Sequence, residues 1–283
     1  MNPGTRIYEP LSGLSGVSNK GTPSILIPTN RRHIMNKVFC SATVQVGGVA
    51  TPTKNPVDII DKVIHMVGTK TIREEYCADI VAWAKHNKLP SGVADPLGLY
   101  YAEPSRASVN DELISAWDTF GLSKDFTLKF KLKDGLTNPS LKVVDVYDSN
   151  VMMDQTGKSR VLQIVKRSIT SHNLGATGDI VIRETNLPIT AIYLKAAAGN
   201  TIDHVKVTVD NTQVIHDLDT EENNSFLADY GYDASAFSAA IRFDVERQLM
   251  RRLESISSLV IKVTSSAPQS VDLILEQVAP DYI

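Results

Sequence analysis

Along much of this chain apolar and polar positions trade places at every step. From Asp125 onward the pattern is regular: Phe126, Leu128, Phe130 and Leu132 fall on one side, Thr127, Lys129 and Lys131 on the other. A period of two predicts a half-buried antiparallel strand. Asp134-Gly135 predicts a turn, and residues 140–147 the returning partner. Earlier, Ser24-Ile25-Leu26-Ile27-Pro28 reads as a short strand closed by proline, and residues 38–46 as a second strand running into Gly47-Gly48. In the second half, residues 179–183, 189–195 and 203–209 carry the same signal. In the last of these, Val205, Val207 and Val209 alternate with His204, Lys206 and Thr208. Leu259, Ile261 and Val263 alternate with Val260, Lys262 and Thr264. A turn at Ala267-Pro268-Gln269 then leads to a strand over residues 271–278.

Helices interrupt this pattern. Thr71-Ile72-Arg73-Glu74 has the form of a capping box, followed by Tyr76, Ile80, Val81, Trp83 and Ala84 at near-helical spacing. Asp219-Thr220-Glu221-Glu222 predicts a second cap, with Phe226, Leu227 and Tyr230 behind it and Gly231 as the stop. Further helical stretches are expected over residues 245–253 and 110–117.

The two halves repeat the same order of elements. Ile60-Asp61-Lys62-Val63-Ile64 resembles Ile202-Asp203-His204-Val205-Lys206, and each is followed by a turn and an acid-capped helix. A strand pair precedes each, and a terminal hairpin follows each. Residues 1–22, rich in Gly, Ser, Pro and Asn, read as a flexible N-terminal arm. Residues 23–150 and 151–283 then form two units, with the break in the polar stretch 148–160. The strands are too many and too short for a parallel α/β sheet. The fold class is therefore all-β: two tandem eight-stranded jelly-roll β-sandwiches with short inserted helices, a design that closes a sandwich while tolerating long loops.

Composition narrows the partners. The 283 residues are 42% hydrophobic with a formal net charge of −3. That is a globular composition without the basic excess of a nucleic-acid-condensing protein. No run of about 18 apolar residues predicts a transmembrane helix. Met1-Asn2-Pro3-Gly4 lacks the regions of a signal peptide, so synthesis and folding in a cytosol are expected. Cys40 and Cys77 lie in apolar stretches and read as buried free thiols.

The chemistry-bearing residues form no catalytic signature. His33, His65, His86, His172, His204 and His216 show no metal-ligand spacing, and the expectation is solvent-facing or hydrogen-bonded rings. Thr156-Gly157-Lys158-Ser159 ends like a phosphate-binding loop, but Met152 stands where the first glycine belongs. Asp217, Asp219 and Glu221 are weak calcium-ligand candidates, with Glu222 beside them. A helix N-terminus attracts such acids by its dipole alone. No other cofactor is indicated. Arg247, Arg251 and Arg252, set among Glu246 and Glu254, are either a solvated helix face or subunit-interface candidates, since arginine is enriched at interfaces.

Pro188-Ile189-Thr190-Ala191-Ile192-Tyr193-Leu194-Lys195-Ala196-Ala197, the alternating strand that runs to Asp210, and Phe226-Leu227-Ala228-Asp229-Tyr230-Gly231 resemble the major capsid proteins of corticoviruses. Those are tailless bacteriophages with an internal membrane. The first half resembles them through residues 24–28 and the capped helix from Thr71. The resemblance covers most of residues 22–278 and rests on strand patterns. It implies a double jelly roll forming a homotrimeric, pseudo-hexameric capsomer that tiles an icosahedral shell over an internal membrane. The implied partners are neighbouring capsomers, penton or minor capsid proteins, and the viral membrane or its proteins, with no sequence-specific nucleic acid. The implied location is the virion capsid, after synthesis and assembly in the host cytoplasm. Calcium sometimes stabilises such shells. The competing readings are a glycan-processing hydrolase and a carbohydrate-binding spike module on a paired jelly roll. The first would need a cleft with paired acids, the second an exposed aromatic platform, and aromatics are only 6% of the chain.

Overall fold

A computed structural model of the chain describes residues 6–14, 17–18, 21–91, 96–102, 116–119, 124–148, 164–185, 187–243, 253 and 256–279. The alternating segment from Phe126 is strand β9 (Phe126–Leu132), and its four apolar side chains are all buried. The chain divides into two compact units. The first runs to Ile164 apart from His86–Lys88, and the second comprises His86–Lys88 and Val165–Ala279.

The first unit contains β1 (Arg6–Pro10), β2 (Ser24–Ile27), β3 (Arg32–Val46), β4 (Val49–Thr53), α1 (Pro56–Ile59) and β5 (Ile60–Val67). It continues with β6 (Lys70–Tyr76), α2 (Cys77–His86), β7 (Leu97–Tyr100), β8 (Trp117–Asp118), β9 and β10 (Thr137–Asp148). One sheet has the order β1-β10-β3-β4, with β7 and β8 also paired to β3; the other is β2-β9-β5-β6. The second unit contains β11 (Ile164–Leu174), β12 (Thr177–Thr185), β13 (Ile189–Ala196), β14 (Ile202–Val209) and β15 (Gln213–Asp219). Then come α3 (Thr220–Asp229), a short 3-10 turn at Ala234–Ala236, β16 (Ala239–Arg242), β17 (Ile256–Ser265) and β18 (Gln269–Ala279). Its sheets are β11-β18-β13-β16 and β12-β17-β14-β15.

These orders are one arrangement used twice. With β4 and β8 set aside as additions, each unit has a sheet joining its first, last, third and sixth strands, and a sheet joining its second, seventh, fourth and fifth. That is the jelly roll the sequence predicts. β5 and β14, the pair whose sequences resemble each other, occupy the same place in their units. α2 and α3 each follow the fifth strand.

Packing follows the parity of the strands. In the first unit Val38, Cys40, Leu141 and Val143 point inward from one sheet and meet Val63, Leu128 and Phe130 from the other. In the second, Ile192, Leu194, Leu273 and Leu275 meet Val205, Val207, Ile261 and Val263. The β3–β4 turn is Gly47-Gly48, both at positive φ (58° and 82°), the conformation that a two-residue hairpin of matching twist demands.

Three expectations change. Residues 6–10 of the predicted arm form β1, paired in register with β10 from Arg6↔Asp148 to Pro10↔Val144; the partner is distant in sequence, so the local Gly/Ser/Pro setting hides the strand. The box at Thr71–Glu74 is strand β6, because pairing with β5 (Ile64↔Glu74, Lys62↔Tyr76) satisfies its backbone and tertiary context overrides local helix signals. The helix starts at Cys77 instead. Trp117, placed in a helical stretch, belongs to β8, while residues 110–115, 149–160 and nearly all of 245–253 lie outside the described residues. The cap at Asp219 is as expected, with its backbone N–H donating to Glu222 Oε2 at 3.1 Å. No helix among the described residues is long and apolar enough to cross a membrane.

Cys40 and Cys77 are free and buried. Burial pushes the Cys40 thiol up to about 11 and the Cys77 thiol up to about 12. The thiolate is the nucleophile, so neither thiol will react with iodoacetamide in mildly alkaline buffer until the protein is unfolded; mass spectrometry of the adducts checks this. Phe130 is fully buried on β9, between β2 and β5. Phe130→Ala will cost about 3–5 kcal/mol, read as a lower denaturant midpoint in an equilibrium unfolding curve.

Candidate functional site

The acids singled out in the sequence lie at the end of β15 and at the start of α3. Asp217 lies on β15, where the Lys206 ammonium donates to it at 2.7 Å and His204 Nε2 lies 3.1 Å away. The Lys206 hydrogen bond holds its carboxyl below the usual carboxylate range. His216 is lowered, first by burial and then by its His204 neighbour. Asp219 caps α3, and Glu221 sits exposed in the first helical turn, where the dipole favours an acid. Among the described residues no group of three or more His, Cys, Asp and Glu is placed to hold a metal ion. Arg247, Arg251 and Arg252 lie outside the described residues.

Two buried acids that the sequence reading passed over organise the interior instead. Asp145, on β10, keeps the inward parity of Leu141 and Val143 and is fully buried. His33 Nδ1 lies 3.0 Å from Oδ1, and the Asn36 amide donates to the same oxygen at 2.9 Å. The Tyr101 hydroxyl donates to Asn36 Oδ1. Burial, reinforced by the Asp145 charge, raises that hydroxyl well above its ordinary range. An Arg31 guanidinium nitrogen reaches both Asp145, at 3.4 Å, and Glu9 on β1, at 2.6 Å. His65, expected to face solvent or a hydrogen-bond partner, points inward from β5 and is buried, edge-on to Trp117 at 5.2 Å and to Tyr101 at 5.6 Å. Its place differs from that of His204 because the two sit at opposite parity in equivalent strands.

Glu276, on β18, is the corresponding acid of the second unit. It faces away from Leu273 and Leu275 and is fully buried all the same. Arg167 Nε donates to it at 3.1 Å and the Thr190 hydroxyl at 3.0 Å. Arg242 lies 3.9 Å off and donates to the Tyr193 hydroxyl at 2.8 Å. A buried charge needs this degree of pairing. One signal was available for Asp145: an acid at an inward position of an alternating strand.

Both networks tie neighbouring strands together through buried side chains. An open groove of about 420 Å³ beside β3 and β4 is lined by residues such as Ser41, Thr53, Lys54 and Asn138, and its lining contains no carboxylate. Glycoside hydrolysis ordinarily uses a pair of them. The surface does expose large apolar side chains. Phe226 and Tyr230 stand one helical turn apart at the end of α3, 54% and 42% exposed. Val46 and Val49 flank the β3–β4 turn at 61% and 65%. Val181 and Val214 stand out from the β12 and β15 strands. Apolar groups of this kind are what subunit contacts cover.

Solved structures of other proteins share this fold. The crystal structure of the major capsid protein P2 from bacteriophage PM2 superposes with a TM-score of 0.77 at 19% identity, covering 98% of both chains. The STIV MCP gives 0.66 at 12% identity, over 99% of this chain and 98% of that one. A chain of the PBCV-1 virus capsid gives 0.68 at 11% identity, over 98% and 94%. At these identities the likeness shows the fold. No curated protein matches by sequence. Family models do: the viral coat protein P2 N-terminal domain over residues 8–147 and its C-terminal domain over residues 164–280. As the resemblance to corticovirus coat proteins leads one to expect, the chain belongs to the viral coat protein P2 family.

Proposed function

We propose that the protein is a major capsid protein whose homotrimer, pseudo-hexameric in outline, tiles an icosahedral shell over an internal membrane. The observation that carries this reading is the repeated strand order. One chain supplies two jelly rolls of the same arrangement, so three chains supply six, and a threefold object fits a hexagonal lattice. Heterologous contacts between identical chains close into a ring when the rotation allows it. Membership of a coat protein family supports the shell role, as does the fold shared with the major capsid protein P2 from bacteriophage PM2.

The function in this reading is contact rather than catalysis. Phe226, Tyr230, Val181 and Val214 are candidates for surfaces covered on assembly, and Arg247, Arg251 and Arg252 remain candidates on their chemistry. The mildly acidic net charge of −3 makes bulk attraction to an anionic membrane a poor means of attachment. Neighbouring capsomers, penton or minor capsid proteins and membrane proteins are the partners this role calls for. Virion assembly in the host cytoplasm is the matching location.

Size exclusion with light scattering tests the proposal. Purified protein is expected to elute with the mass of three chains over a wide concentration range. A strictly monomeric species at every concentration would overturn the capsomer reading.

A further inference from the structure

Strand β1 is an edge strand: among the described residues it pairs with β10 alone. Its side chains are half-buried at best, and Tyr8 is 64% exposed. Apolar burial therefore contributes little to its seat. The register creates a second difficulty. Glu9 and Asp145 face each other across the β1–β10 pair, and like charges directly opposite destabilise a strand pair. Asp145 lies in the fully buried network with His33 and Asn36.

Arg31 resolves this conflict. One guanidinium nitrogen sits between the two acids, 2.6 Å from Glu9 and 3.4 Å from Asp145, and the guanidinium carbon lies 3.9 Å over the Tyr147 ring. The cation turns a repulsive pair into a bridge. Immediately after β1 the chain is anchored differently. The Leu11 N–H donates to the Val143 carbonyl at 2.9 Å, and Leu11 and Leu14 pack against the core. The sparsely buried segment is thus bounded at Leu11.

We infer that residues 6–10 form a detachable clasp whose closure is set by Arg31, opening independently of the rest of the first unit. Closed, the clasp covers the outer edge of β10 between Val144 and Asp148. Open, it bares a row of unpaired backbone groups, the kind of edge another strand can join. The device is a local opening equilibrium, drawn from the low-stability end of the fold.

Hydrogen exchange by mass spectrometry on the full-length protein tests this. Arg31→Gln leaves the two acids opposed and is expected to raise exchange in residues 6–10 about fivefold, as an opposed pair worth about 1 kcal/mol predicts. β3 and β9 should exchange as before. Glu9→Gln removes bridge and repulsion together and should act more weakly. The double variant, Arg31→Gln with Glu9→Gln, should return toward the Glu9→Gln level. If Arg31 acted only by packing on Tyr147, the double variant would exchange as fast as Arg31→Gln, and the inference would fail. It would fail equally if residues 6–10 were unprotected in the unaltered protein, or if β3 and β9 loosened in step with them. Should Arg31→Gln not fold, raising the salt concentration on the unaltered protein gives the same readout. The Arg31–Glu9 arm is the solvent-facing side of the bridge, with Glu9 41% exposed, so salt weakens it and exchange should rise in residues 6–10 alone; a salt-independent rate there would overturn the inference.

Discussion

Each sandwich depends on bringing the last strand of its unit against the third: β10 against β3, and β18 against β13. The last strand then lies between the first and the third, so three segments far apart in sequence share one set of ladder bonds. Loop-closure entropy opposes such pairings, although it grows only slowly with separation. Burial on the inward face is what outweighs it. Because the side-chain period is two, a one-residue slip of β10 would turn Leu141 and Val143 to the outside. The hydrophobic pattern therefore fixes register as well as fold, and the bulge at Val146/Tyr147 adjusts it only locally.

The buried acids act on that same strand pairing. Asp145 and Glu276 both lie on the last strand of a unit, and each reaches residues of the first and third strands. Asp145 meets His33 and Asn36 on β3, and through Arg31 it meets Glu9 on β1. Glu276 meets Arg167 on β11 and Thr190 on β13. Burying a carboxylate costs several kcal/mol, and its pairing seldom returns much more than that. What these groups add is discrimination. In a register slipped by two residues, which keeps parity, the carboxylate would stay buried and lose its donors, so such pairings are penalised more than the right one is rewarded. The two acids achieve this from opposite faces, Asp145 inward and Glu276 outward, which suits independent tuning of two copies of one arrangement.

What was legible in the sequence follows from this physics. Strands with a strong inward face, such as β9, β14 and β17, announce themselves through alternation alone. The equivalence of β5 and β14 was readable because each must fill the same place in a sandwich. β1 was not readable: Ile7 and Tyr8 are its only large apolar residues, and its stability comes from β10 and Arg31. β6 is masked in the sequence because Thr71 and Glu74 satisfy a helix-cap template locally, while β5 offers a full ladder. The buried networks escaped because His33, Asn36 and Asp145 are dispersed in the chain and meet only in three dimensions. The acids around Asp219 were conspicuous in sequence and turned out to serve a strand pair and a helix cap.

A shell protein has no reason to concentrate its function in a few atoms. Its work is to present rigid, repeated surfaces, and many side-chain sets can fill the inward faces of a jelly roll at the right volume. Structures with the same fold accordingly align over nearly the whole chain at identities of 11–19%. The constraint carried between them is the order and parity of strands. That is why alternation and duplication make the fold legible, while the shell role rests on the likeness to a coat protein family. In such a molecule the selected features are those that keep strands in register and those that meet a neighbour. The edge of β10 belongs to both groups: Arg31 holds a strand of the same chain over it, and without that strand it is a surface for another.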